Sequence, residues 1–150
     1  MSQRLAKRLQ NEIKEVKNSQ NLNLEFVTIT DKFDEWQVKL IPHGESIYSG
    51  EEFLLCFKFT EQYPFDSPGV TFTGDNIPEH PHVYSNGHIC LSILAEDWSP
   101  AMTVESVCVS IVSMLNSCPR KELPPDNDRY VKTCSKDPKK TRWWFHDDTV

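Results

Sequence analysis

Hydrophobic positions recur at two periods along this chain, and the switches between them lay out its elements. Over residues 2–17, Leu5, Leu9, Ile13 and Val16 fall at steps of four, four and three, the stripe of an amphipathic helix. Ser2 is placed to cap it, and Asn18, Ser19 and Asn21 end the pattern. Period two then takes over, and strands are predicted over 24–30, 35–41, 52–60 and 70–73. The second alternates Trp36, Val38 and Leu40. The third alternates Phe53, Leu55, Phe57 and Phe59, with Leu54 and Cys56 on the opposite face. Pro42-His43-Gly44, Ser49-Gly50 and the segment from Tyr63 to Pro68 supply the turns. No connection is long enough for a crossover helix, so the sheet is expected to be an antiparallel meander. Residues 103–116 return to helical spacing. Val104, Val107, Cys108, Ile111 and Leu115 share a face that Val109, Val112 and Met114 widen, which predicts a helix packed centrally on the sheet. Thr103 is its expected N-cap, and Glu105 suits the dipole of its first turn. Pro124-Pro125 halts the chain, residues 127–135 suit a short helix, and Asp137-Pro138 limits any continuation. The expected fold is α+β, with a core over 1–127 and an atypical, mobile tail over 128–150.

Composition narrows the function classes. With 150 residues, one domain is expected. No apolar run approaches the roughly 20 residues of a membrane span, and Met1-Ser2-Gln3-Arg4-Leu5 does not open a signal peptide. A cytoplasmic or nuclear setting with reduced thiols is expected, and five cysteines cannot complete a disulfide framework. Twenty-two acidic residues against 16 basic ones give a net charge of −6, which argues against nucleic acid as a partner. The charge is segregated. Arg4, Lys7, Arg8, Lys14 and Lys17 make the first helix basic, and Lys132, Lys136, Lys139, Lys140 and Arg142 do the same for the tail. These are either solvated faces or docking surfaces for an acidic partner.

Residues 74–102 have no sustained periodicity and hold three prolines and three of the five histidines. A loop beyond about 12–15 residues in a compact domain usually has a function. Three chemistries compete for His80-Pro81-His82 and the following residues to Cys90-Leu91. His80, His82, His88 and Cys90 are all zinc-ligand types, but at no established finger spacing. Cys90 with a nearby His suits a hydrolase, although such pairs usually meet from distant parts of the chain. The third reading makes Cys90 a carrier that holds an acyl group as a thioester and yields it to an amine. Cys56, Cys108 and Cys118 read instead as small core residues.

His80-Pro81-His82, with His82 eight residues before Cys90-Leu91, stands where the ubiquitin-conjugating enzymes carry His-Pro-Asn before their reactive Cys-Leu. Trp98-Ser99-Pro100-Ala101 and Tyr63-Pro64-Phe65-x-x-Pro68 also match that family. The chain resembles the family over roughly residues 3–127. The resemblance implies the ubiquitin-conjugating fold and a transferase. Cys90 would take ubiquitin from an activating enzyme, hold it as a thioester and pass it to a substrate amine. It implies no cofactor in this chain, because ATP is consumed by the activating enzyme. The family's Asn is replaced by His82, which leaves oxyanion stabilisation to backbone donors in the loop, with His82 or Asn86. Glu122 aligns with the acid that orients the incoming amine.

His80-Pro81-His82, Asn76-Ile77-Pro78, Pro124-Pro125-Asp126-Asn127 and Trp143-Trp144 are similar to the W subtype of that family. That likeness implies transfer to the free α-amine of a flexible substrate N-terminus. Trp143 and Trp144 either fold back on the core or contact that substrate. By the same resemblance, Lys7 and Arg8 face the activating enzyme, while Phe65, Ser99, Pro100 and Ala101 face RING or U-box ligases. The chain would act as a monomer or weak dimer. The rival reading is an inactive scaffold of the same fold that binds ubiquitin or ligases without catalysis.

Overall fold

The computed structural model describes residues 1–30 and 32–141. Helix α1 spans Gln3–Lys17. Four strands follow, β1 (Leu24–Ile29), β2 (Glu35–Leu40), β3 (Phe53–Lys58) and β4 (Gly69–Thr73), hydrogen-bonded in chain order. Every pairing is antiparallel, with Trp36 opposite Phe57 and Leu55 opposite Phe72. Helix α2 (Val104–Asn116) and a short helix α3 (Asn127–Thr133) complete the frame, with 3-10 turns at Ser92–Leu94 and Pro138–Lys140.

The alternation in β2 and β3 decides which face is buried. Trp36, Val38, Leu40, Phe53, Leu55 and Phe57 are almost wholly buried on one side. They share a core with Leu5, Leu9 and Val16 of α1 and with Val107, Cys108, Ile111 and Leu115 of α2. Both predicted caps form. The Ser2 hydroxyl accepts from the Leu5 N–H at 3.1 Å, and Thr103 and Ser106 make a reciprocal capping box at the start of α2.

A buried carboxylate lies outside the hydrophobic pattern. Glu12 is 3% exposed, on the inward side of α1. Its Oε1 accepts the Val104 N–H at 2.7 Å, and its Oε2 accepts Arg8 Nε at 2.8 Å and the Tyr63 hydroxyl at 2.5 Å. A buried carboxylate is tolerable when each oxygen is satisfied in this way. This one satisfies a free N–H at the start of α2 and fastens both α2 and Tyr63 to α1. Burial and the Glu12 charge together push the Tyr63 phenol pKa well up.

The tail opens with a short helix inside the expected 127–135, α3. The boundary after residue 127 falls at the first residue of α3, and residues 128–141, none of them buried, are tied to the core by specific contacts. Few apolar groups hold this segment. Polar bonds do: Lys139 Nζ donates to the Ser67 carbonyl at 2.6 Å and pairs with Asp66, clasping the 3-10 turn at Pro138–Lys140 onto the entry to β4.

Candidate active site

Residues 80–90 form a tight hairpin laid on the free edge of β4. The Phe72 N–H donates to the Gly87 carbonyl at 2.8 Å, and His88 bridges antiparallel to Thr71. Within the hairpin, Tyr84 N–H reaches the His88 carbonyl at 2.9 Å, and Cys90 N–H reaches the His82 carbonyl at 2.8 Å. Cys90 therefore sits at the hairpin's outgoing end, 8% exposed, with its backbone fixed by His82. Gly87 makes the turn possible: its φ is +93°, and a Cβ there would lie 2.0 Å from the Phe72 carbonyl oxygen.

The histidines of this loop have separate tasks. His80 is fully buried. Its Nδ1 accepts the His82 N–H at 2.9 Å, and its Nε2 meets the Met114 carbonyl at 3.1 Å. An N–H only donates and a carbonyl only accepts, so the ring is neutral with its proton on Nε2. Burial lowers its pKa to about 4. His88 Nδ1 lies 2.8 Å from the Tyr130 hydroxyl, and burial lowers its pKa as well. Both rings are thus bonded to groups other than Cys90. Among the described residues no three His, Cys, Asp or Glu groups assemble as a metal site. The His82 ring is half-buried, 5.6 Å from that of His80.

The tail supplies the other wall. Asp126 stands at the N-cap of α3, yet its carboxylate does not cap the helix. It accepts the Tyr84 hydroxyl at 3.0 Å instead. Asn127 is buried, accepts the Ser85 N–H at 2.8 Å and donates to the Ser85 hydroxyl at 3.1 Å. The rings of Tyr84 and Tyr130 stack with centroids 3.8 Å apart. Burial first, and then the neighbouring Cys134, Cys90 and Asp126 charges, push the Tyr130 phenol up to about 12, and burial with Asp126 and Cys90 raises that of Tyr84 as well.

These contacts reassign two expected residues. The Asn86 amide donates to Cys134 Sγ at 3.3 Å and its oxygen accepts the His88 N–H, so it braces the turn. Glu122 is exposed and pairs with Arg120 at 3.2 Å, while the acid joined to the Cys90 hairpin is Asp126. The sequence carried one signal for this, an Asp directly after Pro124-Pro125 at a helix start. Nothing in the periodicity shows that its carboxylate turns away from its own helix.

A second cluster forms where α1 meets two loops. Phe65 is 67% exposed, with the Arg4 guanidinium 5.3 Å above its ring. Ser99, Pro100 and Ala101 are exposed beside it, tied in by Trp98 Nε1 donating to the Pro64 carbonyl at 2.7 Å. Lys7 is exposed on α1. Arg8, expected on the same docking face, instead turns its donors inward, to Glu12 and to the Pro100 and Met102 carbonyls at 3.4 and 3.0 Å. Trp143 and Trp144 lie outside the described residues.

The family model described as "Ubiquitin-conjugating enzyme" matches residues 8–146. The chain belongs to the ubiquitin-conjugating enzyme family. It is 56% identical over 147 residues to a probable ubiquitin-conjugating enzyme E2 W-A of Danio rerio, covering 97% of each chain. It is 49% identical over 152 residues to the ubiquitin-conjugating enzyme E2 W of Caenorhabditis elegans, covering both chains fully. Among solved structures it resembles the ubiquitin conjugating enzyme UbcA1 of Agrocybe aegerita, with a TM-score of 0.85 and 46% identity over 89% of this chain and 97% of that one. These findings bear out the expected α+β ubiquitin-conjugating fold and the expected class. As a ubiquitin-conjugating enzyme, the chain is a ubiquitin transferase that works with ubiquitin, an activating enzyme and ligases.

Proposed function

We propose that Cys90 is the thioester carrier and that the favoured acceptor is an α-amine. The Cys90 thiolate attacks the ubiquitin carbonyl held as a thioester on the activating enzyme, whose own thiolate leaves. A neutral amine then attacks the new thioester carbonyl, the C–S bond breaks, Cys90 leaves as thiolate, and the amine proton passes to solvent. ATP is consumed upstream, and this chain needs no cofactor of its own. The observation that carries the reading is the place of Cys90 at the outgoing end of a hairpin pinned to the sheet edge and to His82, with the buried His80 and His88 rings bonded to other groups. Such a site holds an acyl group without activating water.

Asp126 receives the amine. Its carboxylate is held by the Tyr84 hydroxyl on the Cys90 hairpin, where it accepts a hydrogen bond from the incoming neutral amine and orients its lone pair towards the thioester. His82, the residue whose backbone anchors Cys90, donates from its ring to the developing oxyanion. An α-amine, with a pKa of about 7.7–8, is roughly one-third neutral near pH 7.4, whereas lysine, at about 10.4, is neutral about once in a thousand. A site with one modest acid therefore favours the α-amine. Similarity to enzymes named E2 W supports this choice. The activating enzyme docks at Lys7, and RING or U-box ligases dock at Phe65 and the loop Ser99, Pro100, Ala101. Substrates have flexible N-termini that reach the hairpin in a cytoplasmic or nuclear setting.

The test is single-turnover discharge of the loaded enzyme. A peptide with a free α-amine and no lysine competes with an N-acetylated peptide carrying one lysine. The α-amine peptide is expected to discharge the thioester at least tenfold faster at pH 7.4. Asp126→Asn is expected to slow that reaction about tenfold without altering loading, whereas Glu122→Gln leaves it unchanged. Equal rates for the two peptides refute the α-amine preference, and an unaffected Asp126→Asn refutes the role of Asp126.

A further inference from the structure

Residues 84–88, which turn the chain back towards Cys90, are gripped almost residue by residue by the tail. Tyr84 is held by Asp126 and Tyr130, Ser85 by Asn127, Asn86 by Cys134, and His88 by Tyr130. Gly87, the remaining member, is pressed against Phe72 of β4. Among the described residues of the tail, Tyr130 is the one whose side chain bonds or stacks with both arms of the turn. Its ring stacks on Tyr84 at 3.8 Å, its hydroxyl lies 2.8 Å from His88 Nδ1, and the same oxygen lies 2.8 Å from Thr141 Oγ1. In the chain Tyr84→His88 the two arms are only four residues apart, so fixing both ends fixes the turn. Cys90 follows His88 by two residues and is tied back to His82 on the incoming arm.

We infer that Tyr130 is a positioning residue for transfer from Cys90: it clamps both arms of the 84–88 turn and so sets the thioester against the approaching amine. The inference rests on the transfer reading above, but the clamp itself can be measured without it. Ring and hydroxyl have separable parts. The ring covers Tyr84 and keeps its hydroxyl on Asp126. The hydroxyl joins the His88 arm to Thr141 at the end of the tail clasp. Other groups reach the same centre without replacing it: the Asp126, Cys134 and Cys90 charges act on Tyr130, and Asp137 acts on His88.

Tyr130→Phe keeps the stack and removes the hydroxyl, and Tyr130→Leu removes both. For Tyr130→Phe the fraction of enzyme loaded with ubiquitin and the amine concentration giving half-maximal discharge should equal the wild-type values. The discharge rate constant at saturating amine should fall about fivefold, the effect of one hydrogen bond. Tyr130→Leu should fall more than tenfold. Thr141→Val should give a smaller loss with the same split. Amide exchange at residues 85–88 of the unloaded protein should quicken by the same factors in each variant. A purely structural part would lower the loaded fraction and leave the rate constant alone, and that result overturns the inference. A wild-type rate constant in Tyr130→Phe overturns it too, as does unchanged exchange at residues 85–88. If the wild-type enzyme passes nothing to an amine, the transfer reading fails, while the exchange data still decide the clamp.

Discussion

Replacing Gly87 by alanine tests whether the Cys90 hairpin depends on its close approach to β4. Two effects combine there. The first is backbone strain: at φ +93° an L-residue costs about 1–2 kcal/mol. The second is contact, because the new Cβ would meet the Phe72 carbonyl oxygen at 2.0 Å and its carbon at 2.9 Å. Phe72 is 2% exposed in the core and cannot retreat, so the hairpin must lift. Lifting breaks the 2.8 Å bond from Phe72 N–H to Gly87, worth about 1 kcal/mol, and loosens the Tyr84–His88 pairing. The total is about 3 kcal/mol, or a fall of roughly 6–12 °C in Tm for a domain of this size. Gly74→Ala is the control, since Gly74 has φ +84° but nothing within 4 Å of a Cβ, so it carries the strain without the clash. Thermal unfolding of both variants, with ubiquitin loading of each, separates the terms. Gly87→Ala is expected to be less stable than Gly74→Ala by about 1–2 kcal/mol and, unlike it, to load and discharge poorly. Equal melting temperatures, or normal transfer by Gly87→Ala, would refute the reasoning.

Three further outcomes follow from the same contacts. Glu12→Gln should cost about 2–3 kcal/mol by urea denaturation, less than a fully buried pair because Arg8 is 29% exposed and can rehydrate. Stability should fall as pH drops from about 6.5 to 4, by up to about 3 kcal/mol. The unfolded His80 takes up a proton near 6.5, while the buried ring resists it until about 4, so this contribution is complete above 6.5 and lost below. His80→Gln should flatten much of that slope in urea midpoints, and an unchanged slope would contradict the assignment. Trp98→Phe removes the 2.7 Å bond to Pro64, and should reduce ligase-stimulated discharge several-fold while leaving unstimulated discharge and loading intact.

Periodicity was enough to read the framework because burial here follows side-chain alternation. Trp36, Val38 and Leu40 announce which face of β2 is buried, and the steps from Leu5 to Val16 announce the face of α1. Cys90 was legible from its surroundings, at the end of a proline- and histidine-rich loop. The polar couplings were not legible. Glu12 looks like a surface carboxylate until Tyr63, 51 residues later, donates to it. Asp126 looks like a helix cap until its carboxylate is found on Tyr84, 42 residues earlier. The contacts of residues 127–141 were not legible because they use hydrogen bonds and one aromatic stack rather than an apolar stripe, and a hydrophobic pattern records no such bonds. Arg8 shows the converse: a basic helix face suggests a partner, yet its guanidinium serves the chain's own carbonyls.

The central claim, that Cys90 carries ubiquitin, is tested most directly by mixing the chain with activating enzyme, ubiquitin and ATP and resolving the products without reductant. The account predicts one ubiquitin-sized shift that disappears on adding thiol, is absent in Cys90→Ala, and persists in Cys134→Ala. A missing shift in the wild-type chain, or one that survives Cys90→Ala, would contradict it, and a missing shift would favour a ubiquitin- or ligase-binding scaffold.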